Sequence, residues 1–245
     1  MKKIVVMGRG GTGKTSSVAL MAKYLIEIGE TPILLIDADP DQNLGDLVGA
    51  DIEKTISDVL YEFMDEGGSV TGASPLERLE PKILEKVFEG DLFDLIVIGA
   101  KWKEGCYCMP NNLLKKVIPT LADNYKYVLI DSPAGLEHLN RRITSDVDYI
   151  IDILDSSKKS FEHVKRAYRI IKEVKINFKE FYLIGGDRFP NSLAKRAEDM
   201  GMKYLGKINY DENVESYVIE GKSLLELPQT SPAYLSIKSI MENIL

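Results

Sequence analysis

The run Gly8-Arg9-Gly10-Gly11-Thr12-Gly13-Lys14-Thr15 has the spacing G-x-x-x-x-G-K-[ST], and the chemistry it fits is the holding of a nucleoside triphosphate. Phosphate oxygens need many donors at close range, and glycines let backbone N–H groups turn inward around them. A helix starting at Lys14 would add the positive end of its dipole. In this reading the loop from Gly8 through Ser16 cradles the phosphates. The Lys14 ammonium neutralises the β- and γ-phosphates, and the Thr15 hydroxyl ligates Mg²⁺. Two acid-ended stretches complete the set. Asp37-Ala38-Asp39-Pro40-Asp41 closes one apolar run, and Tyr127-Val128-Leu129-Ile130-Asp131 is another, with Asp131 placed to hold Mg²⁺ through a water. The two cysteines, Cys106 and Cys108, are one residue apart, too close for an unstrained disulfide and suggestive of a metal or a partner.

These groups need a scaffold that brings strand ends together. Short β-rich runs at 3–7, 32–37, 92–98, 127–131, 149–154, 180–184 and 203–209 alternate with helical stretches at 15–28, 81–88, 111–121, 158–174, 192–200 and 232–245. Most of the strand runs are continuously apolar, as in parallel strands buried on both faces. The fold class that follows is α/β, a doubly wound, mostly parallel sheet with helices on both faces, as in P-loop NTPases. Residues 66–74 read as an exposed loop, and residues 1–245 as a single P-loop ATPase domain.

Composition narrows the function. Of 245 residues, 38 are acidic and 31 basic, a net charge of −7 that argues against a nucleic-acid partner and against attraction to anionic lipid. No apolar run is long enough to span a bilayer, and the first residues lack a secretory apolar core, so a cytoplasmic protein is expected.

The loop GRGGTGKT resembles the deviant Walker A motif, GKGGxGKT, of the SIMIBI class of ATPases, which includes MinD, ParA, nitrogenase iron protein and nickel-maturation ATPases. The resemblance implies ATP as substrate. It also implies a catalytic role for Arg9, which stands where the class has a lysine that reaches across a nucleotide-sandwich dimer. Asp37 and Asp39 match switch I, so that Asp39 orients the attacking water and Asp37 supports the Mg²⁺ shell. Ser132-Pro133-Ala134-Gly135 resembles switch II. The family usually carries an asparagine after the sixth strand to read the base, whereas this chain has Gly185-Gly186-Asp187-Arg188. Asn209-Tyr210-Asp211 stands where Pro-Tyr-Asp is usual, and residues around Asp211 are expected to help hold the base.

A finer resemblance is to the CooC family of carbon monoxide dehydrogenase maturation ATPases. It rests on GAKWKEGCYCMPNNLL at 99–114, on DSPAGLEHLNRRITSDVD at 131–148, which contains Glu137-His138-Leu139 and Arg141-Arg142, and on GKSLLELP at 221–228 followed by Ser231-Pro232-Ala233. It implies a homodimer that inserts nickel into a carbon monoxide dehydrogenase or acetyl-CoA synthase client. Two thiolates per chain cannot fill a four-coordinate soft-metal site, but Cys106 and Cys108 from each of two chains would, and four sulfurs suit Zn²⁺ or Ni²⁺ alike. His138 reads as a structural histidine, His163 as a surface residue and Trp102 as a packing anchor near the cysteines. The alternative function is a MinD- or ParA-type positioning switch. An Mrp-type Fe–S scaffold fits less well, because that family's cysteines are spaced Cys-x-x-Cys.

Overall fold

A computed structural model describes residues 1–65, 75–100, 121–134 and 146–245. Eight strands form one sheet: β1 (Lys2–Gly8), β2 (Ile33–Asp37), β3 (Phe88–Glu89), β4 (Phe93–Val97), β5 (Tyr127–Asp131), β6 (Tyr149–Leu154), β7 (Glu180–Gly185) and β8 (Lys203–Lys207). Their order is β3-β4-β2-β5-β1-β6-β7-β8, and every pairing is parallel except β3 with β4. The chain leaves β1 toward one edge and returns through β5 to cross β1 and build the other edge. The carboxyl ends around β1 therefore open into a crevice, where open α/β sheets take their ligands.

Period-2 alternation splits each buried strand between two layers. Ile4, Val6, Ile33, Leu35 and Leu129 face α1 (Lys14–Glu27), α2 (Leu44–Val48) and α8 (Pro232–Glu242). Val5, Met7, Leu34, Ile36 and Ile130 face α3 (Ile56–Asp65), α4 (Pro75–Leu84), α5 (Lys158–Glu173) and α6 (Ala194–Glu198). The remaining helix, α7 (Glu212–Glu220), buries none of its residues and lies beside the crevice. The doubly wound α/β architecture expected from the apolar runs is the one observed.

Four local differences have physical causes. The helix expected over 81–88 instead runs over Pro75–Leu84, with Pro75 at its first position and Pro81 inside it, and Leu79 and Ile83, one turn apart, seat α4 against the core. Phe88 then leaves for β3, a two-residue antiparallel strand too short to show a period. The helix α3, absent from the expected set, buries Ile56, Val59, Leu60 and Phe63 at i, i+3, i+4 and i+7, a helical period the sequence does display. Helices α2 and α7 were also unforeseen; the first has only five residues and the second no fully buried residue, only Val214 and Tyr217 partly buried against the core. The expected loop 66–74 and all of the expected helix 111–121 except Leu121 lie outside the described residues.

Candidate nucleotide site

Strand β1 ends at Gly8, whose φ of +147° brings its backbone so close to β6 that a Cβ would sit 2.8 Å from the Ile153 carbonyl oxygen. Only glycine admits that approach. The loop then turns through Gly10, Gly11 and Thr12 to Gly13, which caps α1 with φ +84°. Lys14 is 6% exposed, and its ammonium donates to the Arg9 carbonyl at 3.3 Å, which also accepts from the Thr12 hydroxyl at 2.9 Å.

Asp37 and Asp131 occupy register partners on adjacent strands β2 and β5, both fully buried on the α1 side of the sheet. The Thr15 hydroxyl donates to Asp131 Oδ2 at 2.7 Å, while Asp131 Oδ1 is buried without a hydrogen-bond partner among the described residues. The two oxygens of Asp37 accept the N–H groups of Asp39 (3.0 Å) and Leu44 (2.9 Å), so Asp37 pins both ends of the acidic loop. Asp39 Oδ1 in turn accepts the Asp41 N–H at 3.1 Å. Lys14, Thr15, Ser16 and Asp39 share one wall of a cavity of about 940 Å³.

Burial is the main reason both buried acids hold their protons tightly. Asp37 is pushed up to about 6, with the two backbone N–H bonds opposing burial and the charges of Asp39 and Asp41 reinforcing it. Asp131 is pushed up to about 7, where the Thr15 hydrogen bond and the Lys14 charge oppose burial and Asp37 reinforces it. An orphaned carboxylate oxygen beside a hydroxyl is a hard-oxygen donor set and fits Mg²⁺. Among the described residues no group of three or more His, Cys, Asp or Glu side chains could hold a metal ion. Mg²⁺ here would thus draw on Thr15, one carboxylate and phosphate oxygens rather than on a protein cage.

The sign of the pH dependence follows. The folded-state values lie above the ordinary 3.8, so between pH ~4 and ~7 the folded chain binds more protons than the unfolded one, and these acids stabilise the fold less as pH rises. The melting temperature of the nucleotide-free protein is expected to fall from pH 5.5 to 8 on their account. Mg²⁺ affinity, measured by calorimetry in the presence of ADP, should weaken about tenfold per pH unit below pH 7, because a proton must leave Asp131. An affinity flat from pH 6 to 8 would refute the arrangement.

A second pocket of about 350 Å³ adjoins the loop, between Gly11, Gly13, Ser16 and Leu20 on one side and Tyr210, Val214 and Val218 on the other. Its size and apolar walls suit a nucleobase. Asp187 and Asp211 also line it. The Asp211 carboxylate, however, is committed to capping: it accepts from the Asn213 N–H (2.9 Å) at the start of α7, from the Ser231 hydroxyl, and from the Ala233 N–H (3.3 Å) at the start of α8. Asp211 thus stands at the pocket, as expected of the residues around it, with its carboxylate joining the starts of α7 and α8.

Arg9, just beyond the end of β1, reaches the residues that open α5. One of its guanidinium nitrogens, Nη1, lies 2.7 Å from Asp155 Oδ2 and 2.8 Å from the Ser157 hydroxyl. Close by, Asp152 and His163 form a pair that sequence reasoning missed. His163, expected at the surface, has a side chain only 11% exposed, with Nε2 3.8 Å from Asp152 Oδ2. Neither Asp152 oxygen nor His163 Nε2 has a hydrogen-bond partner among the described residues. Burial pushes Asp152 up to about 8 against the opposing charge of Lys14, and burial together with the charges of Arg9 and Arg166 lowers His163, so the pair is neutral near pH 7. The available signal was an acid inside the apolar strand Tyr149–Leu154. Cys106, Cys108, Trp102, Gly135 and His138 lie outside the described residues.

Comparison with known proteins supports this architecture. The AAA_31 family model, described as an AAA domain, matches residues 1–183. An uncharacterized ATP-binding protein of Methanocaldococcus jannaschii is 35% identical over 99% of this chain and 98% of its own length. The carbon monoxide dehydrogenase accessory protein CooC of Rhodospirillum rubrum is 27% identical over 71% of this chain and 70% of its own. Among solved structures, the septum site-determining protein MinD of Pyrococcus horikoshii, complexed with Mg-ADP, superposes with a TM-score of 0.73 at 20% identity, covering 99% of this chain and 95% of that one. The fold is therefore shared with that protein.

Proposed function

We propose, from the premise that this chain belongs to the AAA_31 family of AAA domains, that it is an ATP-driven switch whose two states take up and release a nickel ion. Its P-loop makes it an ATPase. The observation that carries the residue assignments is the Thr15–Asp131 hydrogen bond beside an orphaned carboxylate oxygen, at the foot of a loop that buries Lys14. Lys14 binds the β- and γ-phosphates, and the loop N–H groups from Gly8 to Ser16 cradle the chain of phosphates. Thr15 and Asp131 hold Mg²⁺, with Asp37 fixing the loop beside them. When bound, Mg²⁺ supplies charge neutralisation on the phosphates. Asp39 orients the attacking water, and Arg9 contacts phosphate across a homodimer. Residues 1–245 act as one such domain, in the cytoplasm, without nucleic acid or membrane as partner.

The nickel reading rests on the similarity to CooC and on the lone Cys-x-Cys pair. Closure of the homodimer on ATP brings Cys106 and Cys108 of both chains to one ion. Hydrolysis reopens it toward a carbon monoxide dehydrogenase or acetyl-CoA synthase client. Zn²⁺ would occupy the same four thiolates, and a ligand that bridges subunits favours the dimer. The test compares metal content and oligomeric state of the wild type with those of the Cys106→Ala/Cys108→Ala variant, both with ATP. The expected result is a nickel ion shared by two chains in the first and none in the second, with ATP affinity unchanged. Equal metal retention and an equal dimer fraction in both would overturn it.

A positioning switch is the second reading, favoured by a MinD of Thermotoga maritima that is 26% identical over 80% of this chain and 66% of its own length. The helix α8 buries Tyr234, Ile237, Ile240 and Met241 in the core, so this face is not free to lie on a vesicle. Among the described residues no helix is long and apolar enough to cross a membrane. Co-sedimentation with anionic vesicles in ATP would revive the positioning reading.

A further inference from the structure

Arg9 is tethered at both ends in this structure. Its carbonyl oxygen accepts from the Lys14 ammonium and the Thr12 hydroxyl, and its guanidinium donates to Asp155 and Ser157. We propose that Asp155 and Ser157 are a resting dock for Arg9, which holds this arginine on its own subunit until nucleotide draws it off. The inference rests on the reading that Arg9 acts on phosphate, and names the residues that position it beforehand.

Topology builds the dock. Strands β1 and β6 are neighbours with Gly8 in register with Ile153, so the residues just beyond the two strand ends, Arg9 and Asp155, meet although 146 positions separate them. The acceptors do not depend on the arginine for their placement. Asp155 Oδ1 accepts the Ser157 N–H at 2.6 Å, the Asp155 N–H donates to the Ser160 hydroxyl at 3.0 Å, and the Ser157 hydroxyl caps α5 by accepting the Ser160 N–H at 3.2 Å. A helix cap of this kind stays formed with or without a guest.

The contact is strong enough to bias Arg9 and weak enough to release it. Arg9 and Asp155 side chains are 37% and 29% exposed, and partly exposed ion pairs shift an equilibrium by no more than a few-fold. Triphosphate carries far more charge than one carboxylate and accepts two guanidinium N–H bonds at once. Release is also linked to arrival of the ligand. Phosphate that captures Lys14 removes one of the two hydrogen bonds holding the Arg9 carbonyl, loosening the residue whose side chain must swing.

The experiment measures the half-saturating ATP concentration for hydrolysis in wild type, Asp155→Asn, Asp155→Glu, Arg9→Ala and Arg9→Ala/Asp155→Asn. Asp155→Asn keeps an oxygen for the Ser157 N–H and so preserves the cap, with a thermal melt as the folding check. It is expected to lower the half-saturating concentration about threefold, the size of a lost surface ion pair. A merely structural loss would raise it. Asp155→Glu should return it toward the wild-type value, and in the Arg9→Ala background the Asn substitution should change nothing. An unchanged or raised value in Asp155→Asn, or the same shift without Arg9, would overturn the dock while leaving the ATPase reading intact. If Arg9→Ala alone leaves hydrolysis and ATP affinity at wild-type levels, the phosphate role of Arg9 falls, and the dock with it.

Discussion

Lys14→Ala is expected to weaken ATP binding by roughly 10²–10³-fold, the cost of truncating one partner of a desolvated charge pair. The surroundings of Lys14 say why the loss should be this large. The residue is 6% exposed, and its ammonium donates to the Arg9 carbonyl at 3.3 Å, a long contact for a buried charge. Its incoming anion therefore displaces little. The same substitution removes a cation that works against burial at both Asp131 and Asp152, so both carboxyls should hold their protons to higher pH. Calorimetric titration with a slowly hydrolysed ATP analogue reads the affinity directly. A loss under about fivefold would show that the loop N–H groups, not Lys14, dominate phosphate binding.

Asp39→Ala should behave in the opposite way, with ATP affinity kept and hydrolysis slowed by roughly 10²–10⁴-fold, the range for removing a group that handles the nucleophile's proton or position. Asp39 contacts neither Thr15 nor Asp131 by hydrogen bond, and its negative charge raises the proton affinity of Asp37 and Asp131. Its removal relieves like-charge repulsion at the Mg²⁺ position. Bound ATP should then persist and the dimer stay closed, which single-turnover hydrolysis and light scattering after gel filtration would record. An affinity loss equal to that of Lys14→Ala would show that Asp39 binds rather than orients.

The two variants probe the part of the site that could be read from residues alone. A phosphate loop is local: eight consecutive residues, a preceding apolar strand and a following helix specify it without knowledge of the rest of the chain. Acid-ended apolar strands are nearly as local, since parallel register then brings Asp37 and Asp131 side by side. What could not be read depends on which strands become neighbours. Arg9 and Asp155 meet only because β6 crosses to the far side of β1. Asp152 shows as an acid in an apolar run, but its pairing with His163 requires knowing which face of α5 packs on β6. The hydrogen bonds of Asp211 were hidden in a different way. Its spacing to Asn213 is a capping signal, while its bonds to Ser231 and Ala233 come from twenty residues downstream.

The borders of the sheet carry a consequence for how copies of this chain can meet. On one side stands β3, two residues long and antiparallel; on the other β8 begins and ends in Lys203 and Lys207 and slips register against β7. Neither offers the long, flat, uncharged rail on which strands from another molecule could add in series. Among the described residues, ribbon-like polymerisation is thereby discouraged.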